Sequence, residues 1–265
     1  MVRTKRPLKR RINRLTKNQV TVRIKELQQS LHFARRSRGL LKLERWGRGL
    51  SDATRVHILS LLKAHGDLTA TEIEAALEIT QAAVSNQVRT LVETGLVGVR
   101  HRGWWTYYTI NRKAAGLLPN VQPGTPLEGA LTTLPASVMG RMDRLTGGKG
   151  YLRTMQLRGT LEAIRNEDKA LLSQRQAQAI ANRTRILMLA LVNMHDKLTA
   201  TELAVVFHVT HVAVSEHMGV LKGAGLVASS FEGKWIHYST SPGIARMLPV
   251  LTMGKIGSLP PASEA

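Results

Sequence analysis

The run Leu68-Thr69-Ala70-Thr71-Glu72 decides the fold, because it recurs unchanged 130 positions later as Leu198-Thr199-Ala200-Thr201-Glu202. Outward from this run, residues 51–110 align with residues 181–240 without a gap, and about 21 of the 60 aligned positions are identical. Ungapped identity at this level predicts one supersecondary unit that occurs twice. We call residues 51–110 copy one and residues 181–240 copy two.

Copy one begins with the pattern of three helices. An apolar stripe at helical spacing ends at Gly66, and Thr69 with Glu72 then forms a T-x-x-E capping box at the start of a second, short helix. Thr80 caps a third helix. The core-facing positions of that third helix are Val84, Val88 and Leu91. Two short helices joined by a tight turn predict a helix-turn-helix.

A β-hairpin follows the third helix. Gly95 stands where the end of a helix needs a positive φ, and the apolar period then changes to two. Residues 96–100 and 105–110 are predicted to be two strands around a turn at Arg102-Gly103. Copy two repeats each step. The sequence therefore predicts a mainly α fold with small β-hairpins (α+β), made of two tandem winged helix-turn-helix domains plus a basic N-terminal arm and helix.

The chain divides into six segments by composition and pattern. In order, we expect a disordered basic arm, an amphipathic basic helical region, a first winged-helix domain, a linker, a leading helix with a second winged-helix domain, and a C-terminal tail. Their bounds are 1–17, 18–50, 51–120, 121–150, 151–250 and 251–265. The helical stripe between Gln19 and Arg36 is expected to pack on its own domain rather than on a partner.

The positive charge is concentrated near the N-terminus. Of the formal +20, residues 1–50 contribute +14, residues 51–130 contribute 0 and residues 131–265 contribute +6. A dense basic segment beside near-neutral folded units predicts an arm that binds a polyanion. Nucleic acid is favoured over an anionic membrane, because the arm has too few apolar residues for a membrane-lying face. The arm residues predicted to contact phosphates are Lys5, Arg6, Lys9, Arg10 and Arg11.

The combined motifs resemble the ArsR-type winged-helix transcription regulators. The stretches that carry the resemblance in copy one are Asp52-Ala53-Thr54-Arg55, Leu68-Thr69, Glu72-Ile73, Thr80-Gln81, Val84-Ser85, Thr94-Gly95-Leu96-Val97 and Arg102-Gly103-Trp104-Trp105. With the matching residues of copy two, the resemblance covers about 120 of the 265 residues. It implies a transcription regulator that binds double-stranded DNA. Since such proteins place two recognition helices about 34 Å apart, it also implies a homodimer or an intramolecular pseudo-dimer of the two copies.

The third helix of copy one offers side chains that can read bases. Gln and Asn pair bidentately with adenine, and Arg pairs with guanine. Its outward positions are Gln81, Ala82, Ser85, Asn86 and Arg89. At the hairpin tip, Arg100 and Arg102 can follow phosphates or enter a narrow minor groove, beside Trp104. A solvated polar face is the alternative, and the helix-turn-helix context favours DNA contact.

The matching surface of copy two differs in charge. It has lost the arginines and gained the carboxylates of Glu216 and Glu232. The residues left for DNA contact are His211, Ser215 and Lys234. Copy two is either a weaker reader that depends on copy one, or a docking domain that has kept the fold and lost the contacts.

Several functions are disfavoured. The chain has no cysteine, and the helix expected after each hairpin has no His, Asp or Glu, so the metal sites of ArsR-type relatives do not carry over. His208, His211 and His217 are not spaced to converge on one ion, and the recurring His65 and His195 are interpreted as structural and alone in their loops. We expect no metal, no cofactor and no enzyme activity, because no nucleophile–base pair or phosphate loop stands out.

The location follows from the same features. The N-terminus lacks the apolar middle of a secretory signal, and no apolar run is long enough for a spanning helix. We expect a cytoplasmic, nucleoid-associated protein with no membrane partner. Two alternatives remain open: an architectural protein that coats DNA with low sequence specificity, and a scaffold whose winged helices bind proteins.

Overall fold

The structure is a computed structural model that describes residues 17–116, 118, 122–127, 134–166, 168–233 and 235–242. Its helices are α1 (Lys17–Arg36), α2 (Arg38–Leu50), α3 (Ala53–His65), α4 (Ala70–Leu77), α5 (Gln81–Glu93), α6 (Arg112–Ala115), α7 (Ala136–Thr146), α8 (Gly150–Arg165), α9 (Asp168–Ile180), α10 (Arg183–Met194), α11 (Ala200–Phe207) and α12 (His211–Gly223). Its strands are β1 (Leu68–Thr69), β2 (Val97–Arg102), β3 (Trp105–Ile110), β4 (Leu198–Thr199), β5 (Val227–Glu232) and β6 (Trp235–Thr240).

The fold class is confirmed: the described residues are mainly helical, with two small antiparallel sheets. The strand orders are β1-β3-β2 and β4-β6-β5, so each predicted hairpin gains a two-residue third strand from the turn before the capping box. In the first sheet Leu68 lies opposite Tyr108, and in the second Leu198 lies opposite Tyr238. The two registers are equal because β1 and β4 have the same sequence, Leu-Thr, within the repeated runs 68–72 and 198–202.

The helix boundaries of copy one follow their local signals. The Asp52 side chain caps α3, which ends at Gly66 with a φ of +81°. Thr69 and Glu72 form both bonds of a capping box at α4. The Thr80 hydroxyl accepts from the Ala83 amide at the start of α5. These caps place the starts of α4 and α5 where the sequence predicts them.

Close contacts divide the chain into two units. One unit contains residues 44–181, and the other contains residues 1–43 together with residues 182–265. Copy one therefore belongs to the first unit, and copy two belongs to the second. The domain boundaries expected along the sequence stay a prediction.

In the unit with copy one, α8 packs on α3 and α4, and α7 packs on α4 and α8. A small apolar cluster joins α4 to α7 through Ala75, Val138 and Met142. Residues 122–127 cross α8 at Gly159, where a β-carbon would lie 1.8 Å from the Thr125 carbonyl oxygen. A residue without a side chain is therefore required at this crossing.

In the unit with copy two, α1 takes the corresponding place, packing on α10 and α11. Its inward side chains, Leu27, Leu31 and Ala34, are 0%, 3% and 1% exposed. At the end of α1, the Arg183 guanidinium donates to the Arg35 carbonyl oxygen over 2.7 Å. The predicted apolar stripe is thus buried against copy two from Leu27 onward, whereas Val20, in the first turn of α1, is 46% exposed.

Helices α1 and α8 are also related by the 130-residue offset. Arg23 corresponds to Arg153, Leu27 to Leu157 and Leu31 to Leu161. We call α1 and α8 the leading helices, because each precedes one copy in the chain. Each copy packs with the leading helix of the other repeat, so the two repeats exchange these helices.

Among the described residues, no single helix is long and apolar enough to cross a membrane. The pair α11 and α12, bent by 112° at its break, passes the same test of length and composition.

Candidate nucleic-acid interface

The outer face of α5 carries every base-reading side chain predicted from the sequence. The positions Gln81, Ala82, Ser85, Asn86 and Arg89 are all exposed. On the inner face, Val84, Val88 and Leu91 are 0%, 3% and 0% exposed. The helical period separates the two sets, so α5 presents a polar, basic stripe to solvent while its apolar stripe holds it in the domain.

The middle of α5 is held by a hydrogen bond from Arg55, near the start of α3. Arg55 donates to the Gln87 side-chain oxygen over 2.9 Å and to the Gly49 carbonyl oxygen over 2.8 Å. Gln87 lies between the outward and inward stripes and is half-buried. This contact ties α5 to the start of α3 and leaves the predicted contact residues without a role in packing.

The wing of copy one is formed by β2 and β3, and β2 packs against α5. Arg102 lies opposite Trp105, and the turn consists of Gly103, with a φ of +57°, and Trp104. Arg102 donates to Asp67 over 3.0 Å, and its guanidinium lies 5.3 Å from the centre of the Tyr107 ring. The pairing of β3 with β1 and the packing of β2 on α5 hold the wing on the body of the domain.

The wing of copy one is net positive. Arg100 and Arg102 share the one carboxylate of Asp67, at 3.9 Å and 3.0 Å, and each arginine side chain remains 61% exposed. An exposed ion pair of this kind is weak, because water screens it. Both guanidinium groups can therefore meet a phosphate from this position.

The surface of α12 in copy two has another chemistry. His211, Ser215 and Glu216 are exposed, and Val212 is 68% exposed. Ser215 also hydrogen-bonds the Tyr238 hydroxyl, an interaction that lowers the pKa of Tyr238, although burial is the larger influence and raises that pKa.

The wing of copy two repeats the anchor of copy one with its charges reversed. Lys197 and Glu232 form an ion pair at the positions that correspond to Asp67 and Arg102. His237, 3% exposed, lies 3.6 Å from the same carboxylate of Glu232. Copy two therefore keeps an ion pair at this place, but the side chain near the tip of its wing is the acidic Glu232.

A partly buried polar cluster joins α8 to copy one. The Arg153 Nε donates to Glu72 Oε1 over 2.8 Å, and the other oxygen of Glu72 accepts from the Thr69 amide over 2.8 Å. Arg153 Nη1 lies 3.5 Å from His65 Nδ1, and His65 Nε2 lies 2.8 Å from Thr160 Oγ1. The capping carboxylate of the helix-turn-helix therefore also holds the leading helix.

The same cluster recurs between α1 and copy two. Arg23 Nε donates to Glu202 Oε1 over 3.2 Å and Arg23 Nη1 lies 3.3 Å from His195 Nδ1. His195 Nε2 lies 2.9 Å from Ser30 Oγ. The interpretation of His65 and His195 as alone in their loops is wrong, because each contacts a leading helix. The signal was present in the sequence, since Arg23 and Ser30 match Arg153 and Thr160 at the same offset.

Both histidines are placed to be neutral. Arginine only donates, so Nδ1 must accept and the proton lies on Nε2, which donates to the hydroxyl. Burial lowers the pKa of His65, the Arg153 charge lowers it further and Glu72 raises it. For His195, burial is again the largest cause of a lowered pKa, followed by Arg23, against raising effects of Glu26, Glu202 and Asp196.

Some predicted contact residues cannot be placed. Lys5, Arg6, Lys9, Arg10, Arg11 and Lys234 lie outside the described residues. Within the part of the chain that the structure describes, no three His, Cys, Asp or Glu side chains come together as a metal site would require.

Comparisons with known proteins match a winged-helix family and a transcription regulator. Residues 48–103 match the model of the MarR family. A curated relative, the arsenic resistance transcriptional regulator ArsR1 of Pseudomonas putida, is 34% identical over 62 residues, which are 23% of this chain and 48% of the relative. The chain thus spans about half the length of that relative. Both matches support a winged helix of the kind found in transcription regulators, without deciding between the two families.

Proposed function

We propose that this chain is a DNA-binding transcription regulator that reads duplex DNA through α5 and the wing of copy one. The observation that carries the proposal is the exposed stripe of α5, where Gln81, Asn86 and Arg89 face solvent together. Side chains of these types form bidentate pairs with adenine or guanine in the major groove. The match of residues 48–103 to the MarR family and the likeness to an ArsR regulator support the same function.

The wing adds contacts to the DNA backbone. Arg100 and Arg102 extend from a hairpin that is fixed to the domain, so their charges are held near one place. Phosphate contacts set the position and orientation of a protein on the duplex, whereas base contacts give sequence choice. In this proposal α5 selects the DNA sequence, and the wing fixes the position of the protein along the duplex.

The basic arm contributes affinity. If its eight Lys/Arg each neutralised one phosphate, the slope of log affinity against log salt would steepen by about 7. We expect about half of that steepening, because not every charge of the arm meets a phosphate at the same time. The arm adds little sequence selection, because it meets the uniform backbone.

Copy two is a weaker DNA reader or a docking domain. The wing anchor of copy two places Glu232 where copy one has Arg102. This carboxylate lowers the expected contribution to DNA affinity. His211, Ser215 and Lys234 are the candidates for DNA contact.

This proposal includes three further points. The chain is an ArsR-type regulator, and its copies are arranged as a homodimer or as an intramolecular pseudo-dimer. Its location is the cytoplasm, in association with the nucleoid. They rest on the sequence resemblance and on the recurrence of the same elements in both copies. The proposal includes no catalytic step and no cofactor.

The decisive experiment compares specific with non-specific binding. The protein is titrated at about 150 mM salt with duplexes selected from a genomic fragment pool and with scrambled duplexes of equal length. A ratio above about ten supports a regulator, and a smaller ratio favours the architectural alternative, which coats DNA.

Variants then show which copy binds the DNA. Arg89→Ala with Arg102→Ala should weaken binding to the selected duplex several-fold. Lys222→Ala, an exposed charge late in α12, is the control and should bind within about twofold of the parent. If the double variant binds as well as the parent, copy one is not the reader, and a protein-binding scaffold becomes the better proposal.

A further inference from the structure

Trp104 is the most exposed large apolar side chain among the described residues, at 102% of its reference exposure. It occupies the second position of the two-residue turn between β2 and β3. The neighbouring Trp105 is half-buried and starts β3. The turn therefore leaves one indole fully exposed at the tip and the next half-buried at the start of β3.

The hairpin below Trp104 is held by backbone pairing, since β3 pairs with both β1 and β2. Arg102 also contacts Asp67 over 3.0 Å and lies above the Tyr107 ring. One pair closer to the body, His101 and Thr106 are joined side chain to side chain over 3.2 Å. The indole is therefore the outermost group on a paired backbone, so little backbone freedom is lost when it meets a ligand.

The second wing shares the feature at a neighbouring position. Phe231, on the outgoing strand of the copy-two hairpin, is 75% exposed. It corresponds to His101 rather than to Trp104, so the aromatic group is present in both wings although the sequence position has changed. Two hairpins that share few tip residues both expose a large ring.

We propose that Trp104 is an aromatic wedge that enters the minor groove and partly unstacks a base step, so that binding kinks the duplex. This inference rests on the proposed DNA-binding function and adds an activity to it, namely bending of the DNA. The wedge itself is a contact with the faces of the bases.

The chemistry around Trp104 fits a minor groove. The groove is about 6 Å wide, too narrow for a hairpin body and wide enough for a side chain at its tip. Proteins that kink DNA insert apolar side chains between base steps. Arg100 and Arg102 precede the indole on β2 and both reach Asp67, and a narrow minor groove attracts arginine. The wing thus combines an apolar tip with two positive charges on the strand that leads to it.

The test measures affinity and DNA shape separately. A duplex of about 30 base pairs, chosen as the tightest binder from a random pool, carries a fluorophore at each end for energy transfer. A second version carries 2-aminopurine at single positions, whose fluorescence rises on unstacking. The full-length chain is compared with Trp104→Ala, Trp104→Phe and the control Val99→Ala, which removes an exposed apolar group from the same wing.

The parent and Val99→Ala should raise energy transfer and 2-aminopurine fluorescence on binding. Trp104→Ala should still bind, about tenfold more weakly as expected for one lost stacked base, and both signals should stay at the level of free DNA. Trp104→Phe should retain part of each signal.

Three results would overturn the wedge. If the parent binds without a change in either signal, the DNA is not kinked, although the regulator function stands. If Trp104→Ala bends the duplex as the parent does, another residue causes the kink. If Trp104→Ala instead alters self-association of the DNA-free protein by light scattering, the indole serves a protein contact. Failure of the parent to bind any duplex overturns the proposed function itself.

Discussion

Copy one and copy two share a framework and differ in the surface it presents. Both form a capping box, Thr69 with Glu72 in one and Thr199 with Glu202 in the other, and both hairpins have the same register. On the outer face of the third helix, however, Arg89 corresponds to Gly219. The buried and capping positions determine the fold, so the exposed positions could diverge without loss of it.

The wing anchors show how this divergence kept the fold intact. Asp67 pairs with Arg102 in copy one, and Lys197 pairs with Glu232 in copy two. Two reversed charges preserve the attraction, because the energy depends on the product of the charges. The potential presented near the tip changes sign, and that potential is what an approaching polyanion meets.

The largest expected effect concerns the exchange of leading helices. Leu27 and Leu157 are both fully buried at matching positions, and Leu→Ala in such sites costs about 2–5 kcal/mol. Leu27→Ala should lower hydrogen-exchange protection in α10 and α11, and Leu157→Ala should lower it in α3 and α4. If each variant instead weakens the copy that follows it in the sequence, the exchange is absent in solution.

A smaller effect is expected from exchanging the recognition surfaces. Asn86→Glu with Arg89→Ala gives copy one a surface like that of copy two, and it should weaken binding to a selected duplex by about tenfold or more, since each bidentate pair contributes about 1–3 kcal/mol. The reverse change, Glu216→Asn with Gly219→Arg, should strengthen binding if copy two meets DNA. Titrations at two salt concentrations give both results, and an unchanged affinity for the reverse pair would identify copy two as a docking domain.

Acidification should loosen both leading helices by a modest amount. The pKa values of His65 and His195 are lowered in the folded chain, whereas an unfolded histidine takes up its proton near pH 6.5. The unfolded chain therefore binds more protons as the pH falls. Stability is complete above about pH 6.5 and declines below it, until the folded histidines also titrate.

Thermal unfolding at pH 8 and at pH 5.5 measures this dependence. His65→Gln with His195→Gln should reduce the difference in Tm between the two pH values. If the double variant shows the same difference as the parent, other groups cause the acid sensitivity.

The smallest effect on stability should come from reversing the wing anchor of copy one. Asp67→Lys with Arg100→Ser and Arg102→Glu copies the Lys197–Glu232 pair and its neighbour Ser230. Exposed ion pairs contribute about 0–1 kcal/mol, so the free energy of unfolding in urea should change by less than about 0.5 kcal/mol. Affinity for DNA should fall nonetheless. A large loss of stability would show that the two wings are not equivalent supports.

Much of each copy could be predicted from the sequence, because its signals are local. Thr69 with Glu72, Thr80 and Gly95 mark helix ends by side-chain hydrogen bonds and by positive φ, which depend on few neighbours. The buried and exposed faces of α5 follow from the helical period alone. The contact of the resulting surface with DNA stays a prediction.

The rest depends on contacts between distant residues. Arg23 meets Glu202 and Arg153 meets Glu72, at separations of 179 and 81 residues. An apolar stripe such as that of α1 shows that a helix packs but does not identify its partner. The two-residue strands β1 and β4 are too short for a period, and their pairing is visible only once the hairpin is in place.

Because α1 packs on copy two, it is synthesised well before the surface on which it packs. Ribosomes add about 5–20 residues each second, so Glu202 is added roughly 9–36 s after Arg23. During that interval the apolar side of α1, with Leu27 and Leu31, has no docking site on copy two. A nascent chain halted before α10 would expose that side, which makes α1 a natural target for the chaperones that hold unfinished proteins.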